Sequence, residues 1–179
     1  SRCLVGSEMC IRDRIKKNIQ FLELPKKRFE FRGELDQRII YDDYAHHPNE
    51  IKATIKLAKM FIKDNNNHKR RLVAIFQPHR FSRVKQFIQE FALELSKADV
   101  IYLTNIFGAG EKNTDNIDST QIADLIYKIN KNVKYIKNNF EIKSKFYLLT
   151  KKNDFILNMG AGDCHNLWSI LNNKNTLND

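Results

Sequence analysis

"RLVAIFQPHRFSRVKQFIQEFALEL", residues 71–95, changes period in mid-course. "RLVAIF" (71–76) is a short continuous apolar run, as expected for a strand covered on both faces. Beyond it Val84, Phe87, Ile88, Phe91 and Leu95 recur at helical spacing, which predicts an amphipathic helix. A buried strand feeding a helix is the first half of a parallel crossover unit. The pattern repeats outward. "VIYLT" (100–104) predicts a second buried strand, followed by a polar loop carrying "FGAGEKNTDN". Ser119 is the expected N-cap of a helix through Ile122, Leu125, Ile126 and Ile129. "VKYI" (133–136), a helix near 139–149, the strand "FILNM" (155–159) and a last helix near 165–172 complete the series.

On the N-terminal side, "FEFRGELDQRIIYDD" (29–43) alternates apolar and polar residues on both sides of Gly33 to Gln37, which predicts a two-stranded hairpin. Pro48 stands at a helix start, and Ile51, Ile55, Ala58 and Ile62 share one face of a helix running into "DNNNHK". The expected fold class is therefore α/β. A mostly parallel sheet carries helices on both faces with right-handed crossovers, preceded by an N-terminal antiparallel hairpin.

A chain of 179 residues buries one full core, and its six Gly and three Pro are too few for a long disordered linker. Three cysteines, Cys3, Cys10 and Cys164, are odd in number and lack metal-ligand spacing, which fits a reducing cytoplasm. No apolar run approaches the ~20 residues needed to span a bilayer, and no secretory signal is present, so no membrane association is expected. Of the net charge of +10, residues 1–32 carry nine Lys/Arg against four Asp/Glu, a surplus of five, or half of the total. The remaining lysines are scattered among asparagines without an aromatic-flanked stripe. That pattern argues against nucleic acid and for small anionic ligands.

In parallel sheets, ligands collect at the carboxyl ends of strands. "DDYAHHP", "QPHRFSR", "NIFGAGE" and "GAGD" all occupy that position, so the chemistry is expected along one edge. Arg80 and Arg83 enter the first turn of a helix, where two guanidiniums would grip a carboxylate or phosphate. A solvated surface pair is the simpler reading, but cations at a helix N-terminus oppose its dipole and call for an anion nearby. His46 and His47 are adjacent on a turn and diverge, with no third ligand at zinc spacing. One histidine is expected on a ligand and the other packing or capping the helix at Pro48. Asp42 and Asp43, consecutive in a strand, face opposite ways and cannot form a dyad. The two "GAG" stretches do not complete G-x-G-x-x-G, and tight turns explain them equally well. Cys164 lacks a positioned base for a nucleophilic role. The P-loop G-x-x-x-x-G-K-[ST] is absent from the sequence, so ATP handling would require other domains.

"RFEFRGEL", "YDDYAHHPNEI", "FQPHRFSR", "ALELSKADVIYLTNIFGAGE" and "MGAGD" resemble, in that order, the C-terminal domain of the Mur ligases. The resemblance covers roughly residues 15–172 and falls nearest the branch that joins L-alanine to UDP-N-acetylmuramate. It implies a Rossmann-like domain of a three-domain cytoplasmic enzyme of peptidoglycan synthesis. ATP and Mg2+ would be held mainly by a central domain, with no cofactor expected in this chain alone and no activity from it alone. The implied partners are UDP-N-acetylmuramate, L-alanine and ATP, with neither nucleic acid nor membrane. The implied reaction activates a carboxylate as an acyl phosphate, which the alanine amine attacks with release of ADP and phosphate.

Residue by residue, the resemblance places Arg28 and Asp43 on the nucleotide side. Tyr44 and His46 fall near the amino acid and product, and Arg80 and Arg83 near the alanine carboxylate. It also implies catalytic roles for His46, Arg80 and Arg83. Residues 1–14, "SRCLVGSEMCIRDR", depart from the family and read as an adapter-derived, non-native or disordered segment. Residues 15–28 are expected to be the end of a central domain or a linker, 29–172 the C-terminal domain and 173–179 a tail. "CHNLWSIL" after "GAGD" also departs from the family, leaving the last helix without a role. Two alternatives remain at this level. One is the related recycling ligase that attaches a peptide to UDP-N-acetylmuramate, against which "FQPHRFSR" argues. The other is a non-catalytic module binding a nucleotide or anion.

Overall fold

β-branched and aromatic residues make up about half of the strand segments, which assemble into one six-stranded sheet. The structure, a computed structural model, describes residues 27–64 and 70–173. The expectations for residues 1–14, for all but the last two residues of 15–28, and for the tail beyond Asn173 lie outside the described residues.

The strands are β1 (Glu30–Leu35), β2 (Arg38–Asp43), β3 (Leu72–Phe76), β4 (Val100–Leu103), β5 (Val133–Tyr135) and β6 (Phe155–Met159). Their order across the sheet is β1-β2-β6-β3-β4-β5. β1 and β2 are antiparallel, and every other neighbouring pair is parallel, as the alternation of strands and helices predicts. Side chains leave the central strands alternately toward two cores. Leu72, Ala74 and Phe76 meet Ile51, Ile55, Val84, Phe91, Ile122 and Ile126 of the helices Pro48–Asp64, Phe81–Leu95 and Ser119–Ile129. Val73, Ile75 and Ile156 meet Ile142, Phe146, Leu149 and Leu167 on the opposite face. Each of these side chains larger than alanine contributes ~1.5–3 kcal/mol on full burial.

Five local expectations are corrected. The hairpin turn is only Asp36–Gln37, both at positive φ (48° and 67°), the geometry a two-residue hairpin turn demands. Gly33 lies within β1 at a bulge, because its φ of 153° and missing side chain admit the ring of Trp168. Asp118, not Ser119, caps its helix, accepting from the backbone N–H of Thr120 and Gln121, while the Ser119 hydroxyl donates to Thr104 O. The helix near 139–149 is two short ones, Asn139–Ser144 and Phe146–Leu149, broken at Lys145. The last helix is also composite: a 3-10 turn, Asp163–Asn166, runs into Leu167–Asn172.

The chain runs from β3 outward through β4 to β5, and then returns to place β6 between β2 and β3. The helix after β3 covers one face of the sheet and the one after β6 the other. The helices that follow β3 and β6 therefore diverge to opposite faces, which marks this part of the carboxyl edge as the place where ligands collect.

Candidate functional site at the carboxyl edge

β2 ends in two aspartates that face opposite ways, as expected. Asp42 is 3% exposed, accepts from Asn158 Nδ2 (2.9 Å) and lies 3.3 Å from Arg32 Nε. Asp43 turns to the other side, where Oδ2 accepts the N–H of Phe29 (2.8 Å). Its Oδ1 accepts the N–H of Ala45 (2.8 Å) and the hydroxyl of Thr54 (3.2 Å). Both of its oxygens are engaged within the domain, so Asp43 pins the incoming chain at Phe29 against the strand end.

That pinning places Arg28 beside the loop 44–47. Its guanidinium lies 5.7 Å from the Tyr44 ring centroid and 3.6 Å from the Glu50 carboxylate. Tyr44 packs edge-on against His46 (5.2 Å), whose Nδ1 is 2.9 Å from Tyr44 O. His47 takes the packing and capping role. Its ring meets Phe87 at 4.8 Å, and its Nδ1 accepts the N–H of Asn49 at 3.3 Å.

β3 delivers the second lip. His79 sits 5.7 Å from the His46 ring, stacks on Phe107 at 5.6 Å and 15°, and has its Nδ1 3.4 Å from an Arg83 nitrogen. Burial lowers its pKa, and the neighbouring charges of His46, Arg83 and Arg80 lower it further, so the ring is held neutral near pH 7. Arg80 precedes the helix at φ 69° and ψ 130°, a left-handed backbone that a side-chain-bearing residue adopts only when its surroundings enforce it. Here the enforcement is a bridge between the two loops: Arg80 N–H donates to Phe107 O and Phe107 N–H to Pro78 O, both at 2.8 Å.

The anion that the helix dipole calls for is supplied in part from within. Glu111, from "GAGE", accepts from the backbone N–H (3.0 Å) and hydroxyl (2.7 Å) of Ser82, and these bonds lower its pKa. Dipole compensation thus gives less support to a bound ligand than it did in the sequence, whereas the strained Arg80 and the convergence of Arg83 on His79 give more.

β6 completes the edge through "GAGD". Gln77 Nε2 donates to Asp163 Oδ1 (2.6 Å), and Gln77 Oε1 accepts from Cys164 N–H (3.1 Å). A Cβ on Gly162 would stand 2.4 Å from Gln77 Oε1 and 2.6 Å from Phe107 Cγ, so this glycine serves close loop packing. Cys164 is buried, and burial pushes its thiol up to about 12, far from nucleophilic use. Among the described residues, no group of three or more His, Cys, Asp or Glu is placed to hold a metal ion.

The structure thus brings Arg28, Tyr44, His46, Arg80 and Arg83 to one edge and sets Asp43 just beneath it. Sequence reasoning missed Glu50, His79 and Phe107. Glu50 was findable as the acid three residues after His47, the position of a capping box, and His79 as the residue inside "PHR". Phe107 carried no local signal.

Residues 27–162 match the family described as Mur ligase, glutamate ligase domain. The chain is 76% identical over 169 residues to the UDP-N-acetylmuramate--L-alanine ligase of Prochlorococcus marinus subsp. pastoris, covering 92% of this chain and 36% of that protein. It is 37% identical over 157 residues to the ligase of the same description from a Sulfurihydrogenibium species, covering 88% of this chain and 33% of that protein. The chain spans about a third of the length of the curated relatives it matches. Among solved structures it is similar to the UDP-N-acetylmuramate-alanine ligase of Thermotoga maritima, with TM-score 0.62 and 24% identity over 81% of this chain and 29% of that one. A murein peptide ligase from Psychrobacter arcticus has the same fold, with TM-score 0.63 and 22% identity over 82% of this chain and 29% of that one.

Proposed function

Because the chain belongs to the Mur ligase family through its glutamate ligase domain, we propose that residues 29–172 are the C-terminal domain of a cytoplasmic ligase. That ligase joins L-alanine to UDP-N-acetylmuramate in peptidoglycan synthesis, forming ADP. Residues 15–28 are then the end of a central domain or the linker from it, and 1–14 and 173–179 lie outside the catalytic body. No helix among the described residues is long and apolar enough to cross a membrane.

The carrying observation is the convergence of His46 from one loop with His79 from the next, and with Arg83 from the first turn of the helix Phe81–Leu95, beside Arg80. In this reading, Arg80 and Arg83 hold the alanine carboxylate, and Tyr44 and His46 flank its amine. If the His46 Nδ1–H donates to Tyr44 O (2.9 Å), its Nε2 carries a lone pair and accepts the proton lost as the amine attacks. Neutral His79 adds no positive charge to the clamp while fixing Arg83. Holding the amine in line and the carboxylate in two guanidiniums supplies orientation and charge stabilisation, the main needs of such a step.

ATP with Mg2+ would supply the activation of the sugar carboxylate. Among the described residues, Arg28 and Asp43 are the groups that serve the nucleotide side. Both Asp43 oxygens already accept protein hydrogen bonds, so Asp43 acts by positioning the segment that carries Arg28, whose guanidinium faces the edge. The P-loop and metal ligands belong to other domains, and closure of this one over them completes the site.

The test is Arg83→Ala in the intact ligase. A charge-assisted contact of ~1.5–3 kcal/mol implies a KM for L-alanine raised by about 10- to 100-fold, with the KM for UDP-N-acetylmuramate unchanged. Unaltered alanine kinetics would overturn the assignment.

A further inference from the structure

Phe107 divides the carboxyl edge. Its ring, 38% exposed, stacks on His79 beside the arginine clamp, and the same ring lines a cavity of about 360 Å3. Gln77, Lys137, Phe140, Asp163 and Asn166 form much of the remaining wall. The backbone that carries the ring is held on both sides. It is bonded to Pro78 O and Arg80 N, and Gly162 leaves room for the ring where a Cβ would collide.

We propose that Phe107 is the size filter for the amino acid: it walls the Arg80–Arg83 clamp off from the cavity, so that only a short side chain fits between carboxylate and ring. This rests on the proposed role of the two arginines. A carboxylate held there sits one residue from His79, so the substrate Cα and its side chain fall toward the His79–Phe107 stack. A methyl group packs against the ring, and a longer branch collides with it. Behind the ring lies the cavity, a volume into which such a branch could extend, and the backbone bond between Arg80 and Phe107 keeps clamp and ring in register. A pocket of that size is within the range that binds small ligands. Its mixed lining, two phenylalanines with amides, Lys137 and Asp163, would accept an apolar or a polar side chain.

The experiment uses the intact ligase with L-alanine, L-valine and L-leucine. Phe107→Ala should raise kcat/KM for L-leucine at least about tenfold over wild type and cut the preference for alanine, since each methylene accommodated or refused changes rates by about 10- to 200-fold. Adding Phe140→Trp should refill the cavity and abolish the gain with leucine, while leaving the alanine rate of the single variant unchanged. Phe107→Val carries the same expectation, reduced in size, and serves if the alanine variant fails to fold. A folded variant that loses alanine turnover without gaining any larger amino acid overturns the filter. So does a gain that survives Phe140→Trp. Wild-type enzyme that refuses L-alanine from the outset overturns the underlying reading together with the filter, so the two failures are told apart.

Discussion

The carboxylate of Glu50 accepts the backbone N–H of His46 at 3.0 Å and lies 3.4 Å from the Nδ1 of the same residue. It also accepts the N–H of His47 (3.2 Å) and pairs with Arg28 at 3.6 Å. A capping box explains only the bond to His47, which precedes the helix Pro48–Asp64. The other contacts tie the chain that enters the domain to the loop proposed to face the amino acid. Burial tends to raise the pKa of Glu50, but the hydrogen bonds from His46 and His47 and the charges of His46 and Arg28 outweigh it, and the net shift is downward.

Glu50 is accordingly expected to position rather than react. Glu50→Gln keeps an acceptor for the two backbone N–H groups and loses the ion pairs, whereas Glu50→Ala loses both. Melting curves should show Glu50→Ala destabilised by about 1 kcal/mol, the usual cost of a lost cap, and Glu50→Gln near wild type. In the intact ligase both should lower kcat/KM for L-alanine about tenfold, about the size of one charged contact. Full activity of Glu50→Gln would reduce Glu50 to a helix cap.

Gly33→Val should disrupt the docking of the last helix. A Cβ at position 33 would lie 2.5 Å from the Trp168 ring, and the φ of 153° is unfavourable for any side chain. Overpacking of this kind costs ~1–3 kcal/mol, with backbone strain in addition. Chemical denaturation of Gly33→Val, Trp168→Ala and the double variant tests this. Removing the ring first should make the valine markedly less harmful, because the two residues share one contact. Strict additivity would show that Trp168 does not rest on Gly33.

The Gly33–Trp168 contact also marks where sequence reading stops. Strands such as Leu72–Phe76 and helices such as Phe81–Leu95 were legible because burial of one or both faces writes a period into the chain. Loop edges were legible as positions, since parallel strands gather them at one end. Long-range packing is a different matter. That Gly33 admits a ring from residue 168, or that Phe107 bonds through its backbone to Arg80, depends on distances no local pattern encodes. The same holds for Asp43. Its type and place were readable, but the capture of both its oxygens by Phe29, Ala45 and Thr54 was not.

Cys164 should resist alkylation in the folded protein. It is 1% exposed, and burial, aided by the nearby charges of Asp42 and Asp163, holds its thiol at about 12. With Cys3 and Cys10 replaced by serine, labelling by iodoacetamide at pH 8 should proceed only as fast as the domain opens, and at full rate in denaturant. Rapid labelling of the native protein would place the thiol in contact with solvent.

Asp42 makes the domain's stability depend on pH in the direction opposite to that of most carboxylates. Burial raises its pKa to about 6, against the opposing influence of the Asn158 hydrogen bond and the Arg32 charge. The folded state therefore binds this proton more tightly than the unfolded chain, whose value is 3.8. The stabilisation is complete below that value and is lost as the pH rises toward 6, an effect on the order of 3 kcal/mol. Asp42→Asn keeps an oxygen to accept from Asn158 Nδ2 and has no proton to release. Urea denaturation between pH 4 and 7 should show wild-type stability carrying a downward component that the asparagine variant lacks. Arg32 retains its bond to Glu30 at 2.9 Å, so the variant should still fold. Identical pH profiles for the two proteins would mean that Asp42 is already ionised at pH 4, and that Arg32 and Asn158 outweigh its burial.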